Sequence, residues 1–276
     1  MNNQEVIKNN LLVGHWNCRS INNKKLIFSK FLRDNQFDIF CLNETKLDNT
    51  NKRIFEMNNY NIVTKNRNRH GGGVAILIKN NLKFNLIHEL IDSDFEMVGV
   101  NVKLALTSIN IISFYLPPDD QKNKARNQLS NELFDKLDKL KPYILVGDLN
   151  CHNTSWFCNK TSLKGSQLND LIHDFDLSVI NNKNPTFCCS HSNSNSVIDL
   201  MIISNQLCDK LNKFKVHPND MLSDHFPISS EFRIKTNKLA NPDVTYFNRV
   251  DWKEYTKLLD IELERNNGDT SCLEND

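Results

Sequence analysis

The sequence predicts an α/β protein in which a mixed sheet system carries helices on its outside. Strand-length apolar runs recur along most of the chain, some consecutive and some separated by segments of helical spacing. Runs of adjacent strands among β-α-β units depart from the regular alternation of a doubly wound sheet. With 276 residues, 39% of them hydrophobic, the chain has material for one sizeable core plus a tail.

In chain order, "LLVGHWN" (11–17) reads as a buried strand, and Phe28, Phe31 and Leu32 repeat at helical spacing before a second strand, "FDIFCL" (37–42). "GGGVAILIK" (71–79), "FEMVGVNVKL" (95–104) and "INIISFYL" (109–116) are consecutive sheet strands. The triplet Gly71–Gly73 reads as a hairpin turn with positive φ, because no helix and no GK[ST] ending follow it. Leu129, Leu133, Leu137 and Leu140 mark one face of a helix that stops at Lys141–Pro142. The strand "YILV" (143–146) follows, then a helix carrying Leu168, Leu171, Ile172 and Phe175. The strands "SVIDLMIIS" (196–204) and "FPISSEF" (226–232) come last. Beyond 233 the chain turns polar, so a globular domain is expected over 1–233 and a linker or tail over 234–276.

The longest apolar runs are strand-length, which leaves no transmembrane helix to expect, and the polar start "MNNQEVIKNN" lacks the apolar region of a secretory signal. Without a signal, the eight cysteines are expected as reduced thiols, Cys18, Cys41, Cys188 and Cys189 lying in or beside apolar stretches. "CCSH" (188–191) has no second Cys/His pair at zinc spacing. The net charge of +1 leaves a nucleic-acid partner open, since such binding needs a local patch. "TKNRNRH" (64–70), with Lys65, Arg67 and Arg69 alternating, is either that patch or a solvated loop.

Polar residues gather where the strands end: Asn17, Glu44, Tyr115, then Asp148 and Asn150, then Asp224 and His225. Asp199 sits inside an apolar run, where a carboxylate needs a partner, and His225 is the natural one. The set suits phosphodiester hydrolysis. Glu44 offers a hard oxygen to a cation, and Asp148 is placed to deprotonate or position water. Asn17, Asn150 and Tyr115 supply neutral donors, and a carboxylate-held histidine stabilises charge or moves a proton.

The blocks "HWNCRS", "LNETK", "FYLPP", "GDLN", "VIDLMI" and "LSDHFPI" resemble, in order and across residues 11 to 232, those of the endonuclease/exonuclease/phosphatase superfamily. The resemblance implies a DNase I-like fold, two mixed β-sheets packed as a sandwich with flanking helices and the site at one edge. It implies Mg²⁺ as cofactor, with Mn²⁺ as a substitute, held by Glu44 with Asn17 beside it and Asp224 near. Asp148 and Asn150 resemble the residues that handle nucleophile and phosphate, Tyr115 the phosphate-side tyrosine, and Asp199 and His225 the orienting carboxylate and its histidine. Asp148 and His225 share the base assignment.

"GGGVAILIKN", "FYLPPDD", "GDLNCHNTSW" and "NKNPTF" are similar to the endonuclease domain of jockey-like non-LTR retrotransposons. Such a domain nicks double-stranded DNA, and the freed 3′-hydroxyl primes reverse transcription. Its implied partners are target DNA, a reverse transcriptase domain of the same polyprotein and the element's RNA, with no membrane. Its site of action is nuclear, after synthesis in the cytoplasm. The basic stretch, Thr186 and Ser196 are expected to face nucleic acid. An abasic-site repair enzyme is the nearest alternative, although Ser196 stands where those enzymes carry a tryptophan. A degenerate copy that binds without cutting is another.

Overall fold

The computed structural model describes residues 6–48, 56–68, 70–118, 129–189, 194–218 and 221–238. Its apolar runs become two six-stranded sheets. With strands numbered in chain order, the first sheet runs β14 (Leu211–Val216), β15 (Ile228–Phe232), β2 (Leu11–Asn17), β3 (Ile39–Asn43), β5 (Val74–Lys79) and β4 (Tyr60–Lys65). The second runs β10 (Leu177–Val179), β13 (Asp199–Ser204), β9 (Tyr143–Asp148), β8 (Ser108–Tyr115), β7 (Glu96–Lys103) and β6 (Lys83–Leu86). Two short ribbons complete the strands: β1 (Val6–Lys8) with β16 (Thr236–Lys238), and β11 (Phe187–Cys189) with β12 (Ser194–Ser196).

Both sheets are mixed, as expected: β2 pairs parallel with β3 and β8 with β9, and the remaining neighbours are antiparallel. Each parallel pair needs a crossover. The first is helix α1 (Lys25–Asn35) and the second contains α3 (Asn131–Asp138). A short helix, α2 (His88–Ile91), follows β6, and α4 (Leu163–Asp174) precedes β10.

Side chains alternate across each strand. Val13, Ile39, Ile76, Ile111, Ile144, Val146 and Met201 meet between the sheets. Their neighbours Phe40, Leu77, Phe114 and Leu145 point the other way and meet the helices. With both faces covered, the central strands read as continuous apolar runs. Phe28, Phe31 and Leu32 of α1 close over Trp16, Phe37 and Phe40, each buried side chain contributing about 1.5–3 kcal/mol. Leu133, Phe134 and Leu137 of α3 and Leu168, Leu171 and Ile172 of α4 cover the other sheet. Ser130 and Ser162 cap these two helices by accepting from the N–H groups of Leu133 and Gly165.

Several boundaries differ from the sequence reading. Helix α3 ends at Asp138, and Leu140 belongs to the turn after it, its N–H donating to Leu137 O. Ser194–Ser196 leave the expected long strand and pair in a ribbon with Phe187–Cys189, so β13 opens at Asp199. Strands β4 and β14 lack an apolar run because they are sheet edges, with no residue fully buried and polar side chains among the apolar ones. The turn at Gly71–Gly73 does join a hairpin, β4 to β5, with φ of +63° at Gly72 and +89° at Gly73. Cys18, Cys41 and Cys158 are buried free thiols, and Cys151 is buried as well. Strand β16 carries the described pairing past 233 to Lys238. Arg69, residues 190–193 of the Ser-Asn stretch and the tail from 239 lie outside the described residues. Among the described residues, no helix is long and apolar enough to cross a membrane.

Candidate active site

Between the sheets the strands change character at one edge of the sandwich. Along the inward face of β2 the order is Leu11, Val13, His15, Asn17; along β9 it is Ile144, Val146, Asp148; along β8 it is Ile109, Ile111, Ser113, Tyr115. Strand β13 runs antiparallel to β9 and begins its inward face with Asp199, directly opposite Asp148. Period-two alternation thus delivers polar side chains from four strands into one pocket.

The pocket is one hydrogen-bonded network. The Asn17 amide donates to Glu44 Oε1 at 2.9 Å and to Asp148 Oδ2 at 2.8 Å, and its own oxygen accepts from Arg19 N–H at 3.1 Å. The Tyr115 hydroxyl donates to Glu44 Oε1 at 3.2 Å. His225 places Nδ1 2.8 Å from Asp199 Oδ2, and its Nε2 lies 3.9 Å from Asp148 Oδ2. Asn150, at φ +49°, donates its backbone N–H to Asp148 Oδ1 at 3.1 Å and its amide to Leu116 O at 3.0 Å. The Asp148 N–H is fixed by Asn43 Oδ1 at 2.7 Å, a bond between the two sheets.

Burial and charge set the protonation states. Asp148 is wholly buried, which raises its pKa; the nearby charge of His225 opposes this rise and that of Asp199 adds to it. Burial acts the same way on Asp199, but His225 beside it and hydrogen bonds from His15 and His225 win, holding it below the usual carboxylate range. Burial would lower the His225 pKa, yet Asp199 and Asp148 raise it to about 9. The ring therefore carries a proton at neutral pH. Burial, with the charges of Glu44 and Asp148, pushes the Tyr115 phenol up, so it serves as a neutral donor. Burial lifts the Cys18 thiol to about 12 and removes it as a nucleophile.

The remaining expected residues fall in different places. Asp224 is in the pocket and ion-paired to Arg19. Thr186 is not an exposed contact as expected: it is fully buried, and its hydroxyl accepts from the N–H groups of Ile198 and Asp199 at 3.1 and 3.0 Å. It fixes the backbone of Asp199. Lys65 donates to the carbonyls of Ser93 and Phe95, and Arg67 to Gly71 O and Glu96. Glu96 in turn accepts from Gly73 N–H, and the carbonyls of Gly72 and Gly73 accept from Lys46 and Thr45, next to Glu44. The basic stretch thus buttresses the Glu44 loop. Ser196 lies half-buried at the end of β12. Sequence reasoning passed over His15, whose Nε2 is 3.1 Å from Asp199 Oδ1. The signal was its spacing, two residues before Asn17 and so on the same strand face.

The donors fit a hard divalent cation. Asp148, Asp199 and His225 offer ligand atoms within 4.8 Å of one another. Both Asp199 oxygens already hold imidazoles, and Glu44 and Asp224 are the further carboxylates of the pocket that could add an oxygen. Asp224 Oδ1 is buried with no hydrogen-bond donor, a state a cation relieves. Asn17 turns its NH₂ towards the carboxylates, so it ties them together in this arrangement and does not add an oxygen.

Two packed mixed sheets with flanking helices define the class of fold: DNase I-like. Residues 109–229 match the family described as endonuclease-reverse transcriptase. The chain is 23% identical over 227 residues to the RNA-directed DNA polymerase from mobile element jockey of Drosophila melanogaster, covering 79% of this chain and 23% of that protein. It is 23% identical over 221 residues to the probable RNA-directed DNA polymerase from transposon X-element of the same organism, covering 77% and 23%. It therefore spans about a quarter of the length of these curated relatives. Among solved structures, the endonuclease domain of TRAS1, a telomere-specific non-LTR retrotransposon, superposes with a TM-score of 0.67 at 17% identity, covering 82% of this chain and 99% of that one. The AP endonuclease LMAP from Leishmania major gives 0.67 at 14% identity, covering 82% and 88%. The resemblance read from the six blocks is borne out in the family match and the fold.

Proposed function

We propose that this chain is a Mg²⁺-dependent endonuclease that nicks double-stranded target DNA and leaves a 3′-hydroxyl to prime reverse transcription, Mn²⁺ serving as a substitute. The observation that carries this reading is the position of His225, bonded to Asp199 and 3.9 Å from Asp148, in the pocket that holds Glu44, Asn17 and Tyr115. Held by Glu44 and Asp224, the ion would neutralise phosphate charge. Asp148, its basicity raised by burial, takes the proton of the attacking water. The protonated His225 offers Nε2–H to a phosphoryl oxygen as charge develops there. Tyr115 and Asn150 are neutral donors at the rim of the same phosphate. In an element of this kind the partners would be a reverse transcriptase domain and the element's RNA. The target is nuclear DNA.

Supercoiled plasmid with Mg²⁺ tests the reading: nicked circles should form, and EDTA or Asp148→Ala should stop them. DNA polymerase should extend the nick directly if it ends in a 3′-hydroxyl. Nicking indifferent to both EDTA and Asp148→Ala would overturn the proposal, and strong preference for an abasic duplex would move it to repair.

A further inference from the structure

We propose that His15 is a positioning residue that acts on His225 through Asp199; only the kinetic arm of its test rests on the nuclease reading above. Asp199 is fully buried, and each of its oxygens meets one imidazole: Oδ1 is 3.1 Å from His15 Nε2 and Oδ2 is 2.8 Å from His225 Nδ1. An ionised carboxylate only accepts, so both facing nitrogens carry hydrogen. That puts a hydrogen on His15 Nε2. Burial lowers the pKa of the ring, against the pull of Asp199 and of the Cys41 carbonyl.

The need for two donors follows from the stiffness of the parts. The carboxylate torsion of an aspartate is broad, so one hydrogen bond leaves the plane free to turn. His225 comes from the turn before β15 and depends on its partner for orientation. His15 comes from β2, inside the first sheet, in register with Ile228 on one side and Cys41 on the other. Asp199 belongs to the second sheet, with its backbone bonded to Thr186 and Asn181. The His15–Asp199 contact is thus a tie between the sheets, made at the position where the plane of Asp199 decides where the His225 ring points. A histidine serving only to fill the core would need no such donor.

The test compares His15→Gln, which keeps an N–H at similar reach, with His15→Leu, which fills the space without one, each confirmed as folded by thermal melting. The Leu variant should lower kcat for plasmid nicking about 10–100-fold with KM for DNA unchanged, the usual loss when such an outer partner is removed. The Gln variant should recover most of that loss. Independently of activity, the low-field Nδ1–H resonance of His225 should be present in the parent and Gln proteins and broadened or lost in the Leu protein. If the Leu chain does not fold, His15→Asn, whose shorter amide falls out of reach, replaces it with the same expectations. A folded donor-less variant that keeps both kcat and the resonance overturns the proposal, as does a Gln variant as impaired as Leu. Should the parent protein fail to nick DNA, the nuclease reading falls and the resonance alone decides the role of His15.

Discussion

Asp148 and Asp199 face one another across the antiparallel pair of β9 and β13, two buried carboxylates in direct register. Like charges opposite one another in a sheet repel. The imidazole of His225 and the donors around each aspartate compensate, and they do so unequally: Asp199 is held ionised while the Asp148 pKa rises. Asp148→Asn removes one of the two opposed charges and keeps the side chain's size. It should abolish nicking and, because its NH₂ must face either the Asn17 amide or the Asn150 N–H, lower the melting temperature; a melting temperature at or above the parent's would show that repulsion between the two carboxylates outweighs the lost acceptor.

His225→Gln should lower the nicking rate by about 10²–10⁴-fold, the range for a positioned acid–base group. The amide can still donate to Asp199, which spares the fold the cost of an unpaired buried carboxylate. Single-turnover cleavage measures the loss, and one well under this range would reduce His225 to a packing residue.

The half-exposed ion pair of Arg19 with Asp224 competes with a cation for the same carboxylate. Arg19→Ala should therefore tighten Mg²⁺ binding without DNA by about twofold to fivefold, what such a pair is worth. Titration calorimetry reads this directly, and unchanged or weaker affinity would remove Asp224 from the ion's ligands.

Gly147 separates Val146 from Asp148, and a Cβ there would lie 1.6 Å from the carbonyl oxygen of Phe114 on the neighbouring strand. Backbone cannot move aside as a side chain can. Gly147→Ala should push β8 and β9 apart, destabilise the protein by about 1–3 kcal/mol or more, and slow nicking by shifting Asp148. Chemical denaturation checks the first part.

His217 is buried against Phe31 and Phe37, with Nε2 2.9 Å from Ser229 Oγ, and burial lowers its pKa from 6.5 to about 4. Its folded pKa lies below its unfolded one, so its stabilising effect is complete above pH 6.5 and is lost as pH falls towards 4. Asp148, its pKa raised by burial, contributes the opposite slope across the same window, so the difference is what counts: on acidification from pH 7 to 4 the parent should lose more melting temperature than His217→Gln does. His15, also lowered by burial, leaves a residual slope of the same sign. His225, raised to about 9, acts oppositely, its contribution fading from pH 6.5 upwards.

The central strands, the covering helices and eight polar positions of the pocket were legible in the sequence because burial on both faces leaves long apolar runs, and a polar residue at the end of such a run stands out. Glu44, Asp148, Asp199 and His225 were found that way. Edge strands β4 and β14 were not, since none of their side chains is fully buried and polar residues break up the apolar signal. His15 was hidden inside a run that its neighbours made look uniformly buried. Thr186 was misplaced for a further reason: a hydroxyl in a polar stretch reads the same whether it faces solvent or bonds to its own chain.

Composition, periodicity and block order by themselves determined the sheet-and-helix class and the inventory of pocket residues, because these are properties of neighbours along the chain. Only the tertiary structure decided that Asp199 holds two histidines, that Arg19 claims Asp224, and that the basic stretch braces the Glu44 loop. Each of these joins residues from 23 to 205 positions apart. Partnership over such distances depends on strand register and on how two sheets stack, and neither leaves a local trace in sequence.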